Sequence, residues 1–133
     1  MTIKEASRVT GVSIDNLRYY ERIGLIPEVK RNSAGVREYD EATISMIELI
    51  MRFKNSGMKL ESIRKYVSLA MEGEETAEER KKILIEAKEN LEAQLIKIRS
   101  SLDMINCKID NYEQKCGPVT DNMIKEWKAS RSD

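Results

Sequence analysis

The sequence has no histidine, which removes the side chain most often used as a general base or a metal ligand. Two cysteines among 133 residues are too few for a disulfide scaffold. There is no Gly-rich phosphate loop and no carboxylate pair in an apolar setting, so nothing supports an enzyme. No run of 18 apolar residues occurs, and the amino terminus lacks a signal-peptide core. The expectation is a cytoplasmic protein with no membrane partner and no cofactor. Net charge is zero, but residues 1–66 carry an excess of three positive charges and residues 67–133 an excess of three negative ones. That slight basic bias only hints at nucleic acid.

Charge is abundant, at 35% of residues against 41% hydrophobic, a balance typical of long exposed helices. Thr2 with Glu5 forms a capping box for a first helix whose buried side is Ile3, Ala6 and Val9. Gly11 permits a tight turn, and Ser13 caps a second helix running to about Ile23, which Gly24 and Pro27 stop. Two short helices across a Gly turn are the helix-turn-helix pattern. Strands Val29–Arg31 and Val36–Tyr39 are expected to flank Asn32-Ser33-Ala34-Gly35 as a small hairpin. Asp40 caps a third helix carrying Ile44, Ile47 and Met51, with Gly57 as its stop. A fourth helix near Lys59–Met71 turns Leu60, Ile63, Val67 and Ala70 inward.

After the polar break Glu72–Glu75, Thr76 with Glu79 makes a second capping box. Leu84, Leu91, Leu95, Ile98, Leu102, Ile105, Ile109 and Tyr112 then follow heptad spacing, with Lys88 as the one polar intrusion. A helix from Thr76 to Tyr112 is roughly 55 Å long at 1.5 Å per residue. Its narrow stripe calls for a partner helix, most simply from a second copy, although folding back on its own head is the alternative. Gly117-Pro118 is expected to end it, and Met123, Ile124 and Trp127 suggest a short helix in a tail whose last residues are loose. The resulting organisation is a head over 1–71, a linker over 72–75, a coiled-coil dimerisation helix over 76–114 and a tail over 115–133.

Within LRYYERIGLIP (residues 17–27) the two tyrosines have different jobs. Tyr20 completes the inward stripe of Ile14 and Leu17, whereas Asp15, Arg18, Tyr19 and Arg22 form an outward polar stripe. A basic, aromatic-bearing helix after a helix-turn suits a DNA major groove. Arg18 can reach phosphate or guanine, Tyr19 can reach phosphate or sugar, and Asn16 and Ser13 are further candidates. Arg37 and Tyr39 on the hairpin, with Lys30, Arg31 and Asn32 near its tip, read as a wing gripping flanking phosphate. The rival reading is a coiled-coil interaction module whose head binds protein.

TIKEASRVTGVSIDNLRYYERIGLIP, RNSAGVREYD, FKNSGMKLESI and the heptad helix together resemble the MerR family of bacterial transcription regulators across about the first 112 residues. The resemblance implies a mostly α fold with a winged helix-turn-helix head, an additional helix pair and a dimerisation helix paired antiparallel with its twin. It implies an operator in double-stranded promoter DNA, shared with RNA polymerase holoenzyme, whose overlong spacer the activated homodimer bends and untwists. By position, Arg18 and Tyr19 become groove and phosphate contacts, and Arg37 and Tyr39 belong to the wing's grip or its support. Val36 departs from the aromatic residue that many members carry after the wing glycine.

FKNSGMKL and LDMINCKIDNYE look most like the branch that answers aldehyde and thiol stress. The branch's usual cysteine position holds Arg52 here. Cys107 and Cys116 remain as candidate effector residues, and their spacing resembles the family's metal-sensing pair. On a helix continuing to Gln114, however, the two sulfurs would be roughly 13 Å apart along the axis, too far to share one ion. A metal sensor through Cys107 and Cys116 stays as the alternative effector reading and requires the helix to end earlier, with a loop between the cysteines; no other metal ligand is assigned.

Overall fold

The computed structural model describes residues 1–131. The expected loose tail end, Ser132 and Asp133, lies outside the described residues. Among the described residues six α-helices carry the fold: α1 (Ile3–Thr10), α2 (Ile14–Arg22), α3 (Glu41–Asn55), α4 (Leu60–Glu72), α5 (Ala77–Asp110) and α6 (Gly117–Ala129). The chain divides into two compact units, Met1–Lys88 and Glu89–Asp133.

In the first unit, caps set the helix starts as the sequence leads one to expect. Thr2 and Glu5 exchange side-chain-to-backbone bonds at α1, Ser13 Oγ accepts from the Asn16 amide at α2, and Asp40 accepts from both the amide and the hydroxyl of Thr43 at α3. Each such cap typically contributes about 1 kcal/mol. After α2, Gly24 takes φ 77°, which lets the amides of Leu25 and Ile26 both donate to the Tyr20 carbonyl and turns Leu25 and Ile26 into the core. That core joins Ala6, Leu17, Tyr20, Leu25, Ile26, Tyr39, Ile47, Ile50 and Ile63, drawn from α1 to α4 and the wing. Lys54 of α3 donates to the Tyr20 hydroxyl and lies over its ring, which fixes α2 against α3.

Several expectations need correction. Val9 is half-exposed, because the buried stripe of α1 runs through Ile3, Ala6 and Thr10, and Thr10 folds its hydroxyl back onto the Ala6 carbonyl. The two wing strands reduce to a single antiparallel bridge, Arg31 to Arg37. Asn32 takes over the turn instead, its Oδ1 accepting from the amides of Ala34 and Val36. In α4, Leu69 is buried and Leu60 is exposed. Leu60 opens the helix, before the inward face is established.

The capping box at Thr76 does not form. Thr76 ends a 3-10 turn (Glu74–Thr76) and is 5% exposed. Its hydroxyl lies near the Leu69 carbonyl (2.7 Å) and the Gly73 carbonyl (2.8 Å) as donor, and accepts from Arg80 Nε. It therefore ties the end of α4 to the start of α5. α5 then runs 34 residues, about 50 Å, and packs against no other helix among the described residues.

In the second unit, the single helix expected to reach Tyr112 is interrupted. Asn111 leaves helical geometry at φ −110°, and residues Tyr112–Cys116 form a π turn in which the Cys116 amide donates to the Asn111 carbonyl. Gly117-Pro118 does not terminate a helix but opens α6. A proline lacks only a donor that the first turn cannot use, and Gly117 has no Cβ to strike the Tyr112 carbonyl, which would lie 2.8 Å away.

Two substitutions test the joint at Thr76. Thr76→Val should lower stability in urea unfolding by about 1–3 kcal/mol, since a buried hydroxyl and its acceptors lose one another. Glu79→Gln should stay within about 0.5 kcal/mol of the parent. Equal losses from both would restore the capping box.

Candidate nucleic-acid interface

α2 turns Leu17 and Tyr20 into the core and leaves Asp15, Asn16, Arg18, Tyr19 and Arg22 on its outer side. Tyr19 is 42% exposed, its ring 5.8 Å from Tyr20 and capped by the Arg22 guanidinium at 5.3 Å. The cation–π contact holds the phenol upright while both edges of the stripe stay solvated. Ser13, one of the expected contacts, has its hydroxyl oxygen occupied as the α2 cap.

The wing is built to present arginines. Arg31 Nη1 donates to the Gly35 carbonyl at 3.0 Å, closing the turn that Asn32 organises. Asn32 thereby acts within the turn. Tyr39 differs from its expected place as a surface contact: it is 1% exposed, and its hydroxyl has no hydrogen-bond partner among the described residues. Its backbone explains why. The Tyr39 amide donates to the Met1 carbonyl and its own carbonyl accepts from the Met1 amino group, which draws the end of the wing onto the start of α1. Burial raises the Tyr39 phenol above its ordinary pKa, and the Glu21 carboxylate adds to this against the pull of Arg37, Arg18 and Arg31.

Glu21 joins the two parts. Its Oε1 accepts from Arg37 Nε at 2.6 Å and its Oε2 accepts from the Val29 amide at 2.9 Å, so one carboxylate fastens α2 to both arms of the wing. The Glu21 side chain is only 10% exposed. Burial alone would raise its pKa. The hydrogen bonds from Arg37 and Val29, with the charges of Arg37 and Arg31, outweigh burial and hold the carboxyl below its ordinary value. Arg37 spends one of five guanidinium donors here and keeps the others for a further acceptor. Sequence reasoning does not single out Glu21. A signal exists, because an acid in the last turn of a helix opposes the helix dipole and so asks for a specific partner.

The two thiols lie in the second unit. Cys107 is exposed and Cys116 half-buried. Asn111 stands between them, its side-chain amide donating to the Cys107 carbonyl and its own carbonyl accepting from the Cys116 amide. The straight helix that would separate the sulfurs is thus broken after Asp110. Among the described residues no three side chains of ligand type cluster.

The Glu21 joint has a pH signature. Its depressed pKa stabilises the fold fully above the ordinary carboxylate value of about 4.5, and the contribution fades as pH falls through the folded value. Glu21→Gln should be about 1–2 kcal/mol less stable at pH 7. The gap should shrink in urea titrations as pH drops below about 4. A gap that stays constant from pH 7 to 3 would remove the charge from the explanation.

Two family models match the chain: "MerR HTH family regulatory protein" over residues 1–69 and "MerR, DNA binding" over 44–106. The HTH-type transcriptional regulator AdhR of Bacillus subtilis (strain 168) is 43% identical over 91 residues, which are 68% of this chain and 65% of AdhR. The chain thus spans just under two thirds of that relative's length. A MerR family transcriptional regulator from Listeria monocytogenes has the same fold over 99% of both chains, with TM-score 0.80 and 36% identity. HiNmlR, described as a MerR family regulator lacking the sensor domain and bound to promoter DNA, aligns over 87% of this chain and 92% of its own, with TM-score 0.73 and 28% identity. The outward stripe of α2, the wing fastened to it and these matches lead to one assignment: this chain belongs to the MerR family and is a DNA-binding transcription regulator.

Proposed function

We propose that the protein is a cytoplasmic homodimer that seats two α2 helices on one promoter operator and bends and untwists the duplex between them when a signal arrives. The observation that carries this reading is the Glu21 joint, which holds the wing arginine Arg37 to the same helix that exposes Arg18, Tyr19 and Arg22. HiNmlR, a similar fold described with promoter DNA bound, supports the same use. Arg18 supplies the bidentate donor that guanine or phosphate accepts, and Tyr19 and Arg22 contact the adjoining backbone. Asn16, exposed on the same helix, is a further candidate for a base or backbone contact. Arg31 and Arg37 grip flanking phosphate, with Tyr39 as buried support. RNA polymerase holoenzyme is the partner that reads the altered spacer.

The second copy covers the apolar seam of α5. Leu84, Leu91, Leu95, Ile98, Leu102, Ile105 and Ile109 are between 37% and 64% exposed along one face. Burying such side chains contributes roughly 1.5–3 kcal/mol each when complete, so leaving the whole row in water is strongly disfavoured. Tyr112, the last expected seam residue, lies beyond α5 in the π turn.

A second reading concerns the signal. The break at Asn111 between Cys107 and Cys116 supports a thiol-dependent response, to an electrophile or to a metal ion held through the two cysteines. Cys107→Ser with Cys116→Ser should leave operator affinity within about twofold and abolish induction by thiol-reactive agents in a promoter-reporter assay. Full induction in that variant would end the thiol reading.

Binding itself is tested by gel shift on the promoter. Arg18→Ala should weaken specific binding roughly 10- to 100-fold while the dimer stays intact. The parent's affinity should fall steeply between 50 and 200 mM salt, at about the slope expected for several phosphate contacts. Unchanged affinity in Arg18→Ala would remove that residue from the interface, and no retardation at any salt would return the head to the protein-binding alternative.

A further inference from the structure

The Tyr39 hydroxyl is buried, in a residue only 1% exposed, and it is the one buried side-chain polar atom without a hydrogen-bond partner among the described residues. Buried hydroxyls ordinarily have partners, and an orphaned one costs the free protein the desolvation of that group. A phenylalanine ring would fill the same space in the core without that cost. The hydroxyl therefore calls for a state of the protein in which it is used.

Its surroundings point to that state. Arg37 and Tyr39 alternate along the wing segment that leaves the Arg31–Arg37 bridge, so their side chains share a face. That face is turned to α2: Arg37 bonds Glu21, and Tyr39 packs in one core with Leu17 and Tyr20. Burial and the Glu21 charge hold the phenol protonated against the pull of Arg37, Arg18 and Arg31, so it remains a donor.

Glu21 has two donors of different kinds. Oε2 accepts from the Val29 amide at 2.9 Å, a backbone group that stays where it is. Oε1 accepts from Arg37 Nε at 2.6 Å, and the Arg37 side chain is 25% exposed against 10% for Glu21. Arg37 is thus the donor for which DNA competes. A phosphate that takes Arg37 meets the Glu21 charge on the same guanidinium, and the two anions repel. Once Arg37 turns outward, Oε1 is left buried and short of a donor, a costly arrangement for a carboxylate.

Resting on the reading above that Arg37 grips phosphate, we infer that the Tyr39 hydroxyl is the reserve donor for Glu21: when Arg37 turns to a DNA phosphate, Tyr39 takes its place on the carboxylate. The wing then stays fastened to α2, through Val29 and Tyr39, while its arginine is released to the duplex. Tyr39 is a positioning residue for DNA binding, and its hydroxyl is idle in the free protein and used in the complex.

Tyr39→Phe in the full chain tests this, because stability and DNA binding should part company. The urea midpoint should equal or exceed the parent's, since no hydrogen bond is lost in the free protein. Affinity for the promoter duplex in gel shift should fall roughly tenfold, since Glu21 finds no replacement donor. Arg37→Ala should weaken binding roughly 3- to 10-fold with a shallower salt slope. In the Arg37→Ala background no guanidinium leaves Glu21, so adding Tyr39→Phe should change affinity less than about twofold. A midpoint well below the parent's in Tyr39→Phe would show that the hydroxyl already has a partner in the free protein and overturn the inference. Unchanged affinity in Tyr39→Phe, or the same tenfold loss with Arg37 absent, would overturn it while leaving Arg37 on phosphate. Unchanged affinity in Arg37→Ala would overturn the phosphate reading itself, and the exchange with it.

Discussion

A helix of 34 residues whose apolar row no other helix of the chain covers, among the described residues, is the constraint on which this protein's architecture depends. A globular head can hide its own core, and the first unit does so with Leu17, Leu25, Ile26, Ile47, Ile50 and Ile63 almost wholly buried. α5 has no such cover among the described residues, and its row is narrow and long. In the dimeric reading proposed above, self-association dries that row. Two copies paired in the proposed way would present two identical heads to a two-fold operator in DNA.

Within each head the Glu21 carboxylate does the corresponding work at short range. A wing joined by a single backbone bridge has little rigidity of its own. By accepting from both Val29 and Arg37, Glu21 makes the wing's position depend on α2 rather than on the wing's own pairing. Tyr39 adds a buried ring and a backbone link to Met1 on the far side. The wing's Arg37 is thereby held to the helix that exposes Arg18, Tyr19 and Arg22.

Much of this was legible from residue order. The capping box of Thr2 and Glu5, the caps at Ser13 and Asp40, and the division of labour between Tyr19 and Tyr20 all follow from local rules that tertiary structure had no reason to override. The misreadings occur where a side chain had two uses. Thr76 with Glu79 has the spacing of a capping box, but the hydroxyl found buried carbonyls and became a donor. Gly117-Pro118 has the composition of a helix stop, yet the same pair is equally suited to a first turn, and only the earlier break at Asn111 decides between them. Strand content in the wing was overstated because Asn32 satisfied amides that a ladder would otherwise have needed. The role of Glu21 is not legible in residue order because charge on a helix surface is ordinarily solvent-facing, and its partners are eight and sixteen residues away.

The central claim is that the α5 row is covered by a second copy of the chain. Sedimentation equilibrium of the full chain at micromolar concentration tests it most directly. The account predicts a mass of two chains, about twice 15.3 kDa, with DNA absent. A species that sediments as one chain over that range, with α5 still helical, would contradict it.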